Sequence, residues 1–83
     1  RKQLSPLKKQ LDALEKSVDK LQGQLDAVNE QLADASLYDD DNKKQLNALL
    51  AEQASLSQRL NSEEEAWMEA QENYDTLAAE LSA

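Results

Sequence analysis

The stretch LSPLKKQLDALEKSVDKLQGQLDAVNEQLADA, residues 4–35, decides the fold. Its apolar side chains fall at Leu4, Leu7, Leu11, Leu14, Val18, Leu21, Leu25, Val28, Leu32 and Ala35, in steps of three and four that alternate without a break. This is a heptad with a at Leu4, Leu11, Val18, Leu25 and Leu32 and d at Leu7, Leu14, Leu21, Val28 and Ala35. A period of about 3.5 residues keeps one apolar seam turned toward a partner helix as the two supercoil. Such a helix cannot bury its seam alone, and the partner is found further along the same chain.

From Asn42 onward a second seam appears, with Leu46, Leu49, Gln53, Leu56, Leu60, Glu63, Trp67, Ala70, Tyr74, Leu77 and Leu81 again at three-four spacing. Set antiparallel, the two seams agree in register. Leu32 faces Leu46, Leu25 faces Gln53, Val18 faces Leu60, Leu11 faces Trp67 and Leu4 faces Tyr74. In the d layers Val28 faces Leu49, Leu21 faces Leu56, Leu14 faces Glu63 and Leu7 faces Ala70. The expected architecture is all-α, a monomeric two-helix antiparallel coiled-coil hairpin with helix 1 over about 5–36, a turn over about 37–41 and helix 2 over about 42–81. Gln53 and Glu63, polar residues in the seam, read as register-fixing positions that reduce stability.

The boundaries carry their own signals. Ser5-Pro6 reads either as an N-cap followed by Pro in the first helical position, or as a kink in a helix that already includes Leu4. Gly23 sits at f, away from the seam. The run Ser36-Leu37-Tyr38-Asp39-Asp40-Asp41-Asn42 ends the pattern, offers side-chain caps to helix 2 and places Leu37 and Tyr38 over the end of the seam. Leu77 and Leu81 have no counterpart on helix 1, so they are expected to be frayed or exposed, or else to drive dimerisation. This overhang and the start at Arg1 point to a single domain, 1–83, excised from a larger protein.

Composition narrows the function. The 83 residues include one Gly, one Pro, no Cys, no His and no Phe, a profile of long helices rather than loop-built active sites. Without Cys or His there is no thiol chemistry, no disulfide framework and no imidazole base or zinc ligand. No apolar run approaches the roughly 20 residues of a membrane span, so the expectation is a cytoplasmic protein without a membrane partner. Nothing assembles a nucleophile, a base and an orienting group, and the chain reads as non-catalytic.

The net charge of −8 is uneven: residues 1–35 carry six Lys/Arg against six Asp/Glu, and residues 36–83 carry three against eleven. Arg1, Lys2, Lys8, Lys9, Lys16 and Lys20 form a basic set at one end, with Lys2, Lys9 and Lys16 in one outward f row and Lys20 beside it at c. Such a row is suited to phosphate contacts. It also suits an ordinary solvated face, since Asp12, Asp19 and Asp26 run alongside at b. Trp67 and Tyr74, near the open end, either fill the seam or offer a face on which a nucleobase stacks. Asp39, Asp40 and Asp41 superficially suggest a calcium loop, but its fifth and sixth positions would be Lys43 and Lys44, so the match fails and helix capping is the better reading. No metal site is expected, and Glu63, Glu64 and Glu65 lack a partner that would make them a catalytic cluster.

The phrases SPLKKQLDALEKSVDKL, LADASLYDDD and EEAWMEAQENYDTL, with the turn Asp34-Ala35-Ser36-Leu37-Tyr38-Asp39 and the late Trp67, resemble the C-terminal domain of ABC-F ATPases over nearly the whole chain. The likeness is greater to the YheS branch than to the Uup branch. The resemblance implies a parent with two ATP-binding cassettes, no transmembrane domain and a role on ribosomes in translation. It implies a C-terminal hairpin that contacts nucleic acid, either DNA or ribosomal RNA, or the ribosome, and that adjoins the ATPase domains of its own chain. Walker and signature motifs are missing here, so ATP and Mg belong to the parent and no cofactor to this domain. The contact residues expected are Lys2, Lys8, Lys9, Lys16 and Lys20, with Trp67. The rival reading is a structural or protein-docking hairpin without nucleic-acid binding of its own.

Overall fold

A computed structural model describes residues 3–82. Helix α1 spans Leu4–Leu32 and helix α2 spans Lys43–Ser82, joined by two short 3-10 turns at Ala35–Tyr38 and Asp40–Asn42. The helices lie side by side in a rod of 64 × 14 × 14 Å. This is the antiparallel coiled-coil hairpin expected from the two seams.

The seam is where the heptads place it. Leu21, Val28, Leu32, Leu37, Leu49, Leu56 and Leu60 form one buried cluster, with Val18, Leu25 and Leu46 packed against it. Leu11 and Ala70 are buried nearer the open end. None of the described side chains falls below 2 % exposure, because two helices cover a seam from one side each and leave both edges open to water. The polar Gln53 turns this to use. Half-buried in the seam, it donates from Nε2 to Asn29 Oδ1 at 2.6 Å. That cross-helix bond gives a polar seam residue a partner on the other helix and ties one register together.

One alternative is decided in favour of a helix that already includes Leu4, and two boundary expectations need correction. Helix α1 begins at Leu4 with Gln3 before it, and no side chain caps it. Ser5 and Pro6 are therefore inside the first turn. Proline is tolerated there because the first turn's N–H groups have no intrahelical acceptor. At the other end α1 stops at Leu32, four residues short of the expected 36. The cause is Asp34, whose extended backbone and carboxylate take over: Oδ1 accepts from the Ser36 N–H at 3.0 Å and from the Ser36 hydroxyl at 2.9 Å. A local Asx-type turn thus outcompetes another helical turn. Ala35, assigned to d, is exposed. Leu37 closes the seam in its place at 5 % exposure.

Tyr38 does not lie over the seam. Its ring is 58 % exposed, while its hydroxyl donates to the Leu32 carbonyl at 2.7 Å. It caps one of the carbonyls that a helix end leaves unpaired. Asn42 Nδ2 braces the far side of the tip by donating to the Ser36 carbonyl at 2.8 Å, and Asp40 and Asp41 put negative charge before the start of α2. Tyr38→Phe removes only the capping bond and should lower stability by about 1 kcal/mol, measured by urea denaturation; an unchanged midpoint would show that water replaces the hydroxyl without loss.

At the open end, α2 continues as helix through Ser82. Leu77 is half-buried and Leu81 is 48 % exposed, so the overhang is exposed at its end but not frayed. Gly23 lies on the outer face, where an added Cβ would meet nothing within 4 Å. Gly23→Ala should therefore raise stability by about 1 kcal/mol, the helix-propensity difference alone, and thermal melting would show it.

Candidate nucleic-acid interface

The basic residues take their positions from the heptad. Lys9 and Lys16 stand two helical turns apart on the outer face of α1, about 10 Å from one another at about 1.5 Å rise per residue. Lys20 follows on the same outward side, and all three are exposed. Lys8, at e, reaches Asp12 Oδ1 at 3.7 Å, with both side chains more than half exposed at 63 % and 54 %. An exposed pair of this kind holds its lysine weakly. Among the described residues Lys9, Lys16 and Lys20 make no ion pair, the two that occur being Lys8–Asp12 and Lys43–Asp40. Lys2, expected to extend the row, lies outside the described residues.

Electrostatically the two helices differ, α1 interleaving its lysines with Asp12 and Asp19 and the second half of α2 being strongly acidic. The lysines project from the N-terminal half of α1. Beside them, residues 60–82 of α2 carry Glu63, Glu64, Glu65, Glu69, Glu72, Asp75 and Glu80 and no basic residue. The rod is 14 Å across, whereas charges are screened over about 8 Å at physiological ionic strength. A polyanion lying along the lysines is thus shielded from much of the far acidic face, although at low salt the net charge opposes its approach.

Trp67 is not part of the lysine row. It is half-buried at an a position and lines a shallow cleft between the helices with Glu15, Val18 and Glu64. No lysine lines that cleft, and its two carboxylates would repel a phosphate beside the indole. Tyr74 is likewise half-buried in the seam. Glu15 escaped the sequence reading, since its significance depends on which side of α2 it faces. Among the described residues no group of three or more carboxylates is placed to hold a metal ion, and no helix is long and apolar enough to cross a membrane.

The family model for the ABC transporter C-terminal domain matches residues 2–72. The chain belongs to that family. The match takes in all of α1, the tip and α2 as far as the Trp67 region, so it is the hairpin as a unit that defines this C-terminal domain. The chain is also similar to the Probable ATP-binding protein YheS of Escherichia coli O6:H1 (strain CFT073), 42% identical over 53 residues. That alignment covers 64% of this chain and 8% of the relative, so the chain spans a small fraction of that protein's length. No solved structure matches. Together the family match and the relative identify the C-terminal domain of an ABC-F family protein.

Proposed function

We propose that this domain is a non-catalytic arm of an ABC-F ATPase that contacts nucleic acid, DNA or ribosomal RNA, alone or within the ribosome, in support of an ATP-dependent role of the parent in translation. The observation that supports it is the exposed row of Lys9, Lys16 and Lys20, without ion-pair partners among the described residues, on the outer face of a stiff rod. Long-chain cations on a rigid helix face can track a phosphate backbone without conformational change, and lysine neutralises phosphate as a point charge without reading bases. The contact is therefore backbone-directed and weakly dependent on sequence. Lys8 joins the row by exchanging its weak bond to Asp12 for a phosphate. ATP and Mg are held by the parent's cassettes, and the domain is carried as a monomer beside them.

The test is a titration of the domain against labelled single-stranded DNA, duplex DNA and a ribosomal RNA hairpin at low and moderate salt. Binding that weakens steeply as salt rises supports phosphate contact. Failure to bind any of the three at every salt would sink autonomous recognition. The acidic, base-free stretch 60–82 then makes a protein-docking hairpin the better account.

A further inference from the structure

Glu15 and Glu64 both occupy e of their heptads, counted from Leu11 and Leu60 at a. In an antiparallel pair the e positions of the two helices flank the same edge of the seam, and coiled coils ordinarily place opposite charges at such flanking sites. Here two carboxylates line one cleft together with Val18 and Trp67. Both glutamates are exposed, and neither has a basic partner among the described residues, whose ion pairs lie at Lys8–Asp12 and Lys43–Asp40. Like charges facing across an interface are repulsive, and a cation placed between them removes that repulsion.

We propose that this cleft receives an arginine side chain from a basic protein segment. Three features of the cleft fit a guanidinium. The indole face of Trp67 attracts a cation, tryptophan more strongly than other rings. The two carboxylates accept N–H bonds from opposite edges of a planar fork that lies flat on the ring. The apolar floor of Val18 and Trp67 suits the arginine stem, which buries its methylenes readily. The seven acidic and no basic residues of 60–82 draw a basic segment toward this end of the hairpin. The site is independent of the lysine row and of the nucleic-acid reading built on it.

Trp67 is the single tryptophan, so tryptophan emission has one source, at this cleft. The experiment titrates the domain with a peptide of alternating Arg and Gly, free of aromatic residues, and follows Trp67 at low salt. A saturable change in emission is expected. The variant E15Q/E64Q should weaken binding about tenfold or more, and a matched Lys-Gly peptide should bind the unaltered domain more weakly. E72Q/E80Q removes the same charge away from the cleft and should leave affinity within about twofold. Equal losses in the two variants would overturn the site in favour of bulk charge. A response to spermidine as strong as to the Arg peptide would assign the cleft to free polyamines and overturn a side-chain receptor. Quenching by oligothymidine that survives E15Q/E64Q would make Trp67 a stacking platform and overturn it as well. E15Q/E64Q should also melt no lower than the unaltered domain; a lower melting point would overturn the repulsive pairing on which the site rests. The K9E/K16E variant should bind the Arg peptide as well as the unaltered domain does, which separates failure here from failure of the nucleic-acid arm.

Discussion

Leu56→Ala should lower the melting temperature of the hairpin by about 10–30 °C and leave a substantial unfolded fraction at 37 °C. Leu56 is 6 % exposed and belongs to the buried cluster that runs from Leu21 and Leu60 to the tip. Truncating a buried leucine costs about 2–5 kcal/mol through lost transfer energy and the cavity left behind. A domain of this size has a total stability of about 4–12 kcal/mol, and each 1 kcal/mol moves the midpoint by about 4–8 °C. Loss should fall toward the lower part of that range, since an open-edged seam lets neighbours collapse and alanine favours helix. The matched control is Leu50→Ala. Leu50 lies on the same helix at 45 % exposure and should shift the midpoint by only a few degrees. Circular dichroism at the helical minimum measures both. Equal shifts would show that helix propensity, not the seam, holds the hairpin together.

Reversing charge at Lys9 and Lys16 should reduce nucleic-acid affinity by about a hundredfold at low salt and flatten the salt dependence. Each phosphate contact contributes about 0.7–0.9 to the slope of log affinity against log salt. Loss of two contacts should therefore lower the slope by about 1.4–1.8. Both lysines stand at f, outside the seam, and are exposed, so the helices themselves should melt almost unchanged. A global explanation by charge is tested with K43E/K44E, which changes the net charge equally but at the tip of the hairpin. At moderate salt that variant should lose far less affinity, because Lys43 and Lys44 lie many residues along a 64 Å rod from Lys9 and Lys16, beyond a screening length of about 8 Å. Identical losses in the two variants would show that only net charge matters, and the lysine row would cease to be a site.

Several structural features are legible in the sequence, each for a specific physical reason. A strict three-four alternation leaves little choice but a seam, and Leu21, Leu32, Leu49, Leu56 and Leu60 are buried where it puts them. The partner helix was legible because both seams keep one register around one short connection. The outward direction of Lys9, Lys16 and Lys20 follows from the same periodicity. Family membership was legible from the Leu37-Tyr38-Asp39 tip and the downstream Trp67.

The structure departs from the heptad pattern where two local preferences compete. Ala35 continues the heptad on paper, yet Asp34 turns the chain by bonding Ser36, and no pattern count shows which preference wins. Tyr38 read as an apolar lid. Folded, it caps Leu32 with its hydroxyl while Leu37 does the covering.

By itself, then, the sequence determined the helices, the seam, the antiparallel hairpin and the sidedness of its lysines, because these depend on periodicity along the chain. Only the tertiary structure decided the form of the tip and the neighbours of Trp67. Those depend on how a side chain's local bonds compete with the helix, and on which residues of α1 and α2 meet along one edge. Glu15 and Glu64 are separated by 48 intervening residues, and it is the packing of two helices that sets both beside one indole.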